Sequence, residues 1–248
     1  MTRLGRLYRS VIGKKAIVAV TGVMLLVFLI LHVIGNLKAF LPDPSPGVPD
    51  IDVYGQFLRT MGEPLVPYMG VLWSIRVIMG IALVLHIVCV IQLALINRRA
   101  RDVGYREVQH VESTAPARWM LYTGAFMLFF LIVHLLQFTT GTIDASRFVN
   151  GKIYANLYRA FHDVPAYSVF YLVAMLVLCL HVYHGAWSFF QSLGLDNPDR
   201  NRGLRHLAAV IAVVLALSFA ALPAAFWSGV MASPSETTHT AHVTATAE

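Results

Sequence analysis

Five continuous apolar segments dominate the sequence, and each is about as long as a helix that crosses a lipid bilayer. They cover residues 16–35, 69–96, 119–138, 166–190 and 207–231. A helix needs about 20 residues to cross roughly 30 Å of hydrocarbon. Because lipid offers no partner for backbone N–H and C=O groups, such segments must be helices, whereas barrel strands would be about half as long. With 57% hydrophobic and only 13% charged residues, the chain is predicted to be an all-α integral membrane protein.

The chain is predicted to form one transmembrane domain over residues 1–231, followed by a disordered tail over residues 232–248. The tail is small and polar, so it has little apolar surface to bury. The long stretch between the first two segments begins with the turn-rich "PDPSPGVPD" and continues with "IDVYGQFLRTMGE", which could form a short helix at the membrane interface. No internal repeat and no second domain are evident.

Lys and Arg residues are distributed unevenly between the two ends of the apolar segments. Thirteen lie before the first segment, between the second and third, or between the fourth and fifth, and five lie in the connections on the other side. The positive-inside rule then predicts a cytoplasmic N-terminus and an outside C-terminus. We expect a multi-pass protein of the inner (cytoplasmic) cell membrane. The net charge of +6 follows from this topology, so binding to nucleic acid is not needed to explain it.

Histidines occur in four of the five segments, where an ionisable side chain is costly and indicates function. With a rise of about 1.5 Å per residue, His32 and His134 lie roughly 24 Å along helices that run outward, near the outer face. His86, His181 and His184 lie similarly far along helices that run inward. The histidines therefore form two layers, separated by roughly 15 to 20 Å along the membrane normal.

Paired imidazoles inside a four-helix core are typical of bis-histidine haem sites. Each neutral imidazole supplies one axial nitrogen, and the apolar helices enclose the porphyrin. Zinc or copper would need a third or fourth ligand at the same depth, and neither layer has an obvious Cys, Asp or Glu for that purpose. The sequence thus predicts two haems held by four helices, and the spacing leaves both His181 and His184 open as the fourth ligand.

Other residues of the segments fit the same prediction. Arg76 is the one charged residue within a segment, and an anionic propionate of the outer haem would be a suitable partner for it. Snorkelling of the side chain to the interface is the alternative. Glycines would allow a flat macrocycle, or simply another helix, to approach the backbone closely; these are Gly22, Gly80, Gly124 and Gly185.

Two stretches resemble a known family. "SVIGKKAIVAVTGVMLLVFLILHVIGNL" in the first segment and "LHVYHGAWSFFQSLGLDNP" in the fourth resemble the cytochrome b membrane anchor of dihaem succinate:quinone oxidoreductases, the single-subunit, five-helix type shared by succinate dehydrogenases and fumarate reductases. The similarity covers nearly the whole chain apart from the tail.

The resemblance implies a membrane anchor that binds two haems b and passes electrons to a membrane quinone, usually menaquinone. Such an anchor holds a cytoplasmic flavoprotein with covalent FAD and an iron–sulfur subunit, and it carries the quinone reaction but no site for succinate. The family's ligands match His32 and His134 for the outer haem and His86 for the inner haem. The family's "HG" pattern falls on His184, so the resemblance favours His184 over His181.

The resemblance also bears on quinone and proton chemistry. Related fumarate reductases place an essential acidic residue in the outer loop before the second helix, and Glu63 is its approximate counterpart, although a solvated loop carboxylate is the simpler interpretation. They also carry a glutamate two residues before the ligand on the fourth histidine-bearing helix. Val182 stands at that position here, so the resemblance does not extend to that proton route.

Two alternatives remain open. One is a dihaem anchor for another respiratory dehydrogenase, such as a hydrogenase or a formate dehydrogenase. The other is a transporter without redox chemistry, in which membrane histidines relay protons.

Overall fold

The structure, a computed structural model, describes residues 8–99, 115–192, 194 and 201–234. Most of the predicted polar tail, residues 235–248, lies outside the described residues. The described chain consists of seven α-helices and one short 3₁₀ turn, Lys38–Phe40. The helices are α1 (Val11–Leu37), α2 (Asp50–Thr60), α3 (Gly70–Arg99), α4 (Ala115–Phe138), α5 (Ile153–Phe161), α6 (Pro165–Ser192) and α7 (Asn201–Trp227).

Five of these helices are long and apolar enough to span a membrane, which confirms the predicted fold class at this level. They are α1, α3, α4, α6 and α7. The helices extend beyond the apolar segments where polar residues continue the helical path. In α1, for example, Ser10 caps the N-terminus by accepting a hydrogen bond from the amide of Gly13, so that Lys14 and Lys15 belong to the first turns. Helix α7 begins at Asn201 and ends at Trp227, earlier at both ends than predicted.

The membrane-length helices pack in pairs. Helix α3 packs along α1, α4 packs along α6, and α7 packs along α6 and also touches α1. No comparable packing joins α3 to α4 or to α6 within the described ranges. The four histidine-bearing helices therefore form two pairs, joined mainly through contacts of α1 with α6 and α7.

The two short helices lie at one end of the bundle, here called the loop end. Helix α2 agrees with the interfacial helix predicted from the sequence, whereas α5 was not predicted. Its apolar residues at positions i, i+3, i+4 and i+7 would have indicated it; they are Tyr154, Leu157, Tyr158 and Phe161. The carboxylate of Asp52 in α2 accepts a hydrogen bond of 2.9 Å from the backbone amide of Tyr154 in α5. This bond caps α5 and ties the two short helices together.

The chain contains an internal repeat, contrary to the expectation from the sequence. Each half is a membrane-length helix, a short helix and a second membrane-length helix: α1–α2–α3 and α4–α5–α6. Two stretches of sequence are identical at seven of twelve positions: "TGVMLLVFLILH" in α1 and "TGAFMLFFLIVH" in α4. Helix α7 stands outside the repeat.

Candidate functional site

His32 and His134 lie side by side in the layer nearer the loop end, here called the His32 layer. Their ring centres are 5.9 Å apart, and the ring planes are nearly perpendicular, at 85°. Phe28 stacks on His32, and Phe130 stacks on His134. Each phenylalanine precedes its histidine by four residues, so the repeat places the same pair of rings on α1 and α4.

The two rings are in direct contact. A centre-to-centre distance of 5.9 Å with nearly perpendicular planes lies within the roughly 4.5–7 Å range of edge-to-face ring pairs. Two imidazoles on opposite sides of one metal would lie about 6.4 Å apart, from a metal–nitrogen bond of about 2.0 Å and a ring centre about 1.2 Å behind each nitrogen. Helix α7 completes the layer, because Phe219 contacts His32 with ring centres 5.8 Å apart.

The tautomer of His134 follows from its hydrogen bonds. Its Nδ1 lies 3.2 Å from the hydroxyl oxygen of Tyr171, and that hydroxyl donates to Oε1 of the buried Gln137 at 2.9 Å. A phenol has one proton to donate. Since Tyr171 gives it to Gln137, its oxygen accepts from Nδ1–H of His134. The Nε2 of His134 therefore keeps the lone pair that a metal requires.

His86 and His181 form the second layer, here called the His86 layer, and they have matching surroundings. Nδ1 of His86 lies 3.2 Å from Oγ1 of Thr21 on α1, and Nδ1 of His181 lies 3.2 Å from Oγ1 of Thr123 on α4. Both threonines occupy the same position of the repeat, eleven residues before His32 and His134.

Both threonine hydroxyls donate their protons to backbone carbonyl oxygens of their own helices. Thr21 donates to the carbonyl oxygen of Ile17 at 2.7 Å, and Thr123 donates to that of Met120 at 3.0 Å. Each hydroxyl therefore accepts from Nδ1–H of the histidine that faces it. As with His134, the two rings keep Nε2 as the free nitrogen.

A glycine follows each threonine and lets the histidine ring lie against the helix backbone. A Cβ added to Gly22 would meet Cε1 of His86 at 3.4 Å, and a Cβ added to Gly124 would meet Cε1 of His181 at the same distance. Larger side chains would displace the rings. The close approach expected of these glycines is thus made by a histidine ring of the neighbouring helix.

The geometry favours His181 over His184 as the counterpart of His86. Both His86 and His184 lie within electrostatic range of His181. His184, however, has a buried Nδ1 without a hydrogen-bond partner in the described part of the chain, so nothing there fixes its tautomer. Only His181 repeats the hydrogen bond and the glycine contact that His86 makes.

Arg76 has an exposed side chain, and its guanidinium lies over the ring of Trp73 at 5.1 Å. No carboxylate of the described residues forms an ion pair with it. Arg76 precedes His86 by ten residues, as Tyr171 precedes His181. The repeat thus places Arg76 at the position from which Tyr171 reaches the His32 layer.

Glu63 lies on an exposed turn between α2 and α3, beside the almost fully exposed Leu65. Its amide donates to the carbonyl oxygen of Thr60, and its carboxylate makes no hydrogen bond or ion pair with other described residues. The structure does not bring Glu63 into contact with either histidine layer.

Sequence reasoning missed the residues that hold the histidines: Thr21, Thr123, Tyr171 and Gln137. The dipeptide "TG", which occurs eleven residues before His32 and again before His134, was the available signal. Among the described residues, no group of three or more His, Cys, Asp or Glu side chains is arranged to hold a metal ion. The histidines therefore meet as pairs. Comparisons with models of known families, with curated proteins and with solved structures gave no match.

Proposed function

We propose that the chain is a dihaem cytochrome b, the membrane anchor and electron-transfer subunit of a succinate:quinone oxidoreductase. His32 and His134 would hold one haem, and His86 and His181 the other. The observation that carries the proposal is the hydrogen bonding of three of these rings. His86, His134 and His181 each have Nδ1–H committed to a hydroxyl oxygen, which leaves Nε2 free to bind iron.

Haem iron with two imidazole ligands supplies one-electron transfer and has no open position for oxygen. The residues of the chain hold the imidazoles in place and exclude water. In the His32 layer, Phe28, Phe130 and Phe219 pack against the rings. In the His86 layer, the two threonines orient them.

The proposed orientation places the end opposite the loop end in the cytoplasm. Basic residues collect there, and the described ones include Lys14, Lys15, Arg98, Arg99, Arg202 and Arg205. Others counted in the sequence, such as Arg101 and Arg106, lie outside the described residues. A flavoprotein and an iron–sulfur subunit would dock on this face and deliver electrons to the His86 layer. A membrane quinone, menaquinone in the resembling family, would react near the His32 layer, where Glu63 and Arg76 are the candidate residues.

The test is purification of the complex from membranes in mild detergent, followed by a haem-to-protein ratio and a reduced-minus-oxidised spectrum. We expect about two b-type haems per chain. A colourless preparation without a Soret band would contradict the proposal and favour a transporter. The co-purified subunits identify the dehydrogenase: a flavin-bearing partner supports the proposal, whereas a nickel or molybdenum partner indicates another respiratory enzyme.

The role of Glu63 is tested separately with Glu63→Gln. We expect slower quinone turnover with both haems retained. Asp163→Asn is the control, because Asp163 is also an exposed carboxylate at the loop end, where its partner is His162. Equal turnover in both variants would indicate that Glu63 is a solvated loop carboxylate without a role in the quinone reaction.

A further inference from the structure

We infer that Thr21 and Thr123 are a matched pair of positioning residues that set the reduction potential of the metal bound in the His86 layer. The inference rests on the proposed function, because it needs iron between His86 and His181. It concerns residues of α1 and α4 that supply no ligand themselves.

The first observation is that the two contacts are alike. Each threonine hydroxyl lies 3.2 Å from Nδ1 of the histidine on the paired helix. Each following glycine lies against Cε1 of the same ring. Two unrelated helix–helix contacts would not be expected to agree in both respects. The contact between threonine–glycine and histidine is therefore a repeated structural feature and not incidental packing.

The second observation is the direction of the hydrogen bonds. Since both hydroxyl protons are given to carbonyl oxygens of the threonine's own helix, both hydroxyl oxygens act as acceptors toward Nδ1–H. An acceptor at Nδ1 increases the electron density of the ring and strengthens donation from Nε2. Stronger donation from both axial ligands favours ferric over ferrous iron, and thus lowers the reduction potential.

The His32 layer provides a comparison within the same molecule. There, only His134 has a hydroxyl acceptor at Nδ1, and the hydrogen bonds of the described residues include none for His32. Replacement of the threonines should therefore change one haem and leave the other as a reference.

The experiment uses the intact complex with Thr21→Val, Thr123→Val and the double variant, each followed by potentiometric titration of both haems. Valine keeps the shape of threonine and removes the acceptor. We expect about a tenfold loss in the preference for ferric iron at the His86-layer haem when Thr123 is replaced. For a one-electron couple this corresponds to an upward shift of about 59 mV. The potential of the other haem should not change.

The shift should be smaller for Thr21→Val than for Thr123→Val. The backbone of Val18 also lies close to the His86 ring, so its carbonyl is an alternative acceptor for this ring when the hydroxyl is removed. His181 has no such second acceptor among the described contacts. The double variant should show a larger shift than either single variant, since each threonine acts on a different ligand.

Three controls separate the electronic effect from a structural one. Thr21→Ser and Thr123→Ser keep the hydroxyl and should restore the original potential. Ser74→Ala removes a hydroxyl whose one hydrogen bond within the described part of the chain is to a carbonyl of its own helix, that of Gly70, and should leave both potentials unchanged. Should a valine variant fail to assemble, Thr→Ala at the same position removes the acceptor with a smaller side chain, and the same upward shift is expected.

The outcomes are distinguishable from failure of the proposed function. If the wild-type complex binds no haem, the proposed function is wrong. If two haems bind and the valine or alanine variants leave both potentials within about 10 mV of the wild type, less than a twofold change, the inference is overturned. It is also overturned if the serine variants shift the potential as much as the valine variants.

Discussion

The two histidine layers are built on the same repeat but hold their rings in different ways. The rings of the His32 layer are enclosed by aromatic side chains, and one of them, His134, is also hydrogen-bonded through Tyr171. The rings of the His86 layer are held by threonine hydroxyls and lie against glycines. No aromatic stacking with His86 or His181 occurs among the described residues. The comparison teaches that one layer depends mainly on side-chain volume, and the other on hydrogen-bond acceptors and small residues.

The largest expected effect is the loss of a whole haem. His32→Ala or His134→Ala should lower the haem content from about two to about one per chain, because the haem proposed for this layer would lose one of its two protein ligands. The remaining spectrum should be that of the His86-layer haem. His162→Ala is the control, since His162 lies at the loop end and stacks on Tyr158; both haems should remain. Loss of both haems, or of neither, would contradict independent layers.

The loss of one haem is also expected when His181 is replaced, but not when His184 is replaced. His181→Ala should remove the His86-layer haem, because His181 alone repeats the contacts of His86 with a threonine and a glycine. His184→Ala should retain it. A spectrum of both variants in the reduced and oxidised states checks this prediction. If His184→Ala removed this haem and His181→Ala retained it, the ligand would be His184, as the family resemblance implies.

A partial effect is expected from filling the space beside a ring. Gly124→Val should push the His181 ring away and destabilise the His86 layer by about 1–3 kcal/mol, the usual effect of overpacking. Gly80→Val is the matched control on a membrane-length helix, because a Cβ at Gly80 meets nothing within 4 Å. The measurement is haem retention during thermal unfolding. Equal retention in both variants would show that the glycine contact is dispensable.

A loss of stability without a loss of haem is expected from Tyr171→Phe. This change keeps the aromatic packing of the His32 layer and removes the acceptor at His134 and the donor to Gln137. The expected loss of stability is about 1–3 kcal/mol, because Gln137 is buried and would be left without its donor. Thermal unfolding of the complex measures it. The haem content should stay at about two. A complete loss of the His32-layer haem would mean that hydrogen bonding, and not aromatic packing, holds this layer as well.

The sequence predicts the membrane-length helices well, because their apolar runs exceed anything a soluble core requires. It also predicts that His32 and His134 share a layer, since depth follows from helical rise. The contacts between helices are not accessible in this way. Whether His181 or His184 faces His86 depends on the rotation of α6, which hydropathy cannot give when the helix is apolar on every side. The roles of Thr21 and Thr123 depend equally on the pairing of α1 with α3 and of α4 with α6.

The one-sided packing of α3 leaves part of this helix without a protein neighbour. Helix α3 rests on α1 and on α2 and is not comparably packed against α4 or α6 in the described part of the chain, and His86 on α3 is only partly buried. A group bound between His86 and the other pair of helices would therefore add contacts that the polypeptide does not make by itself.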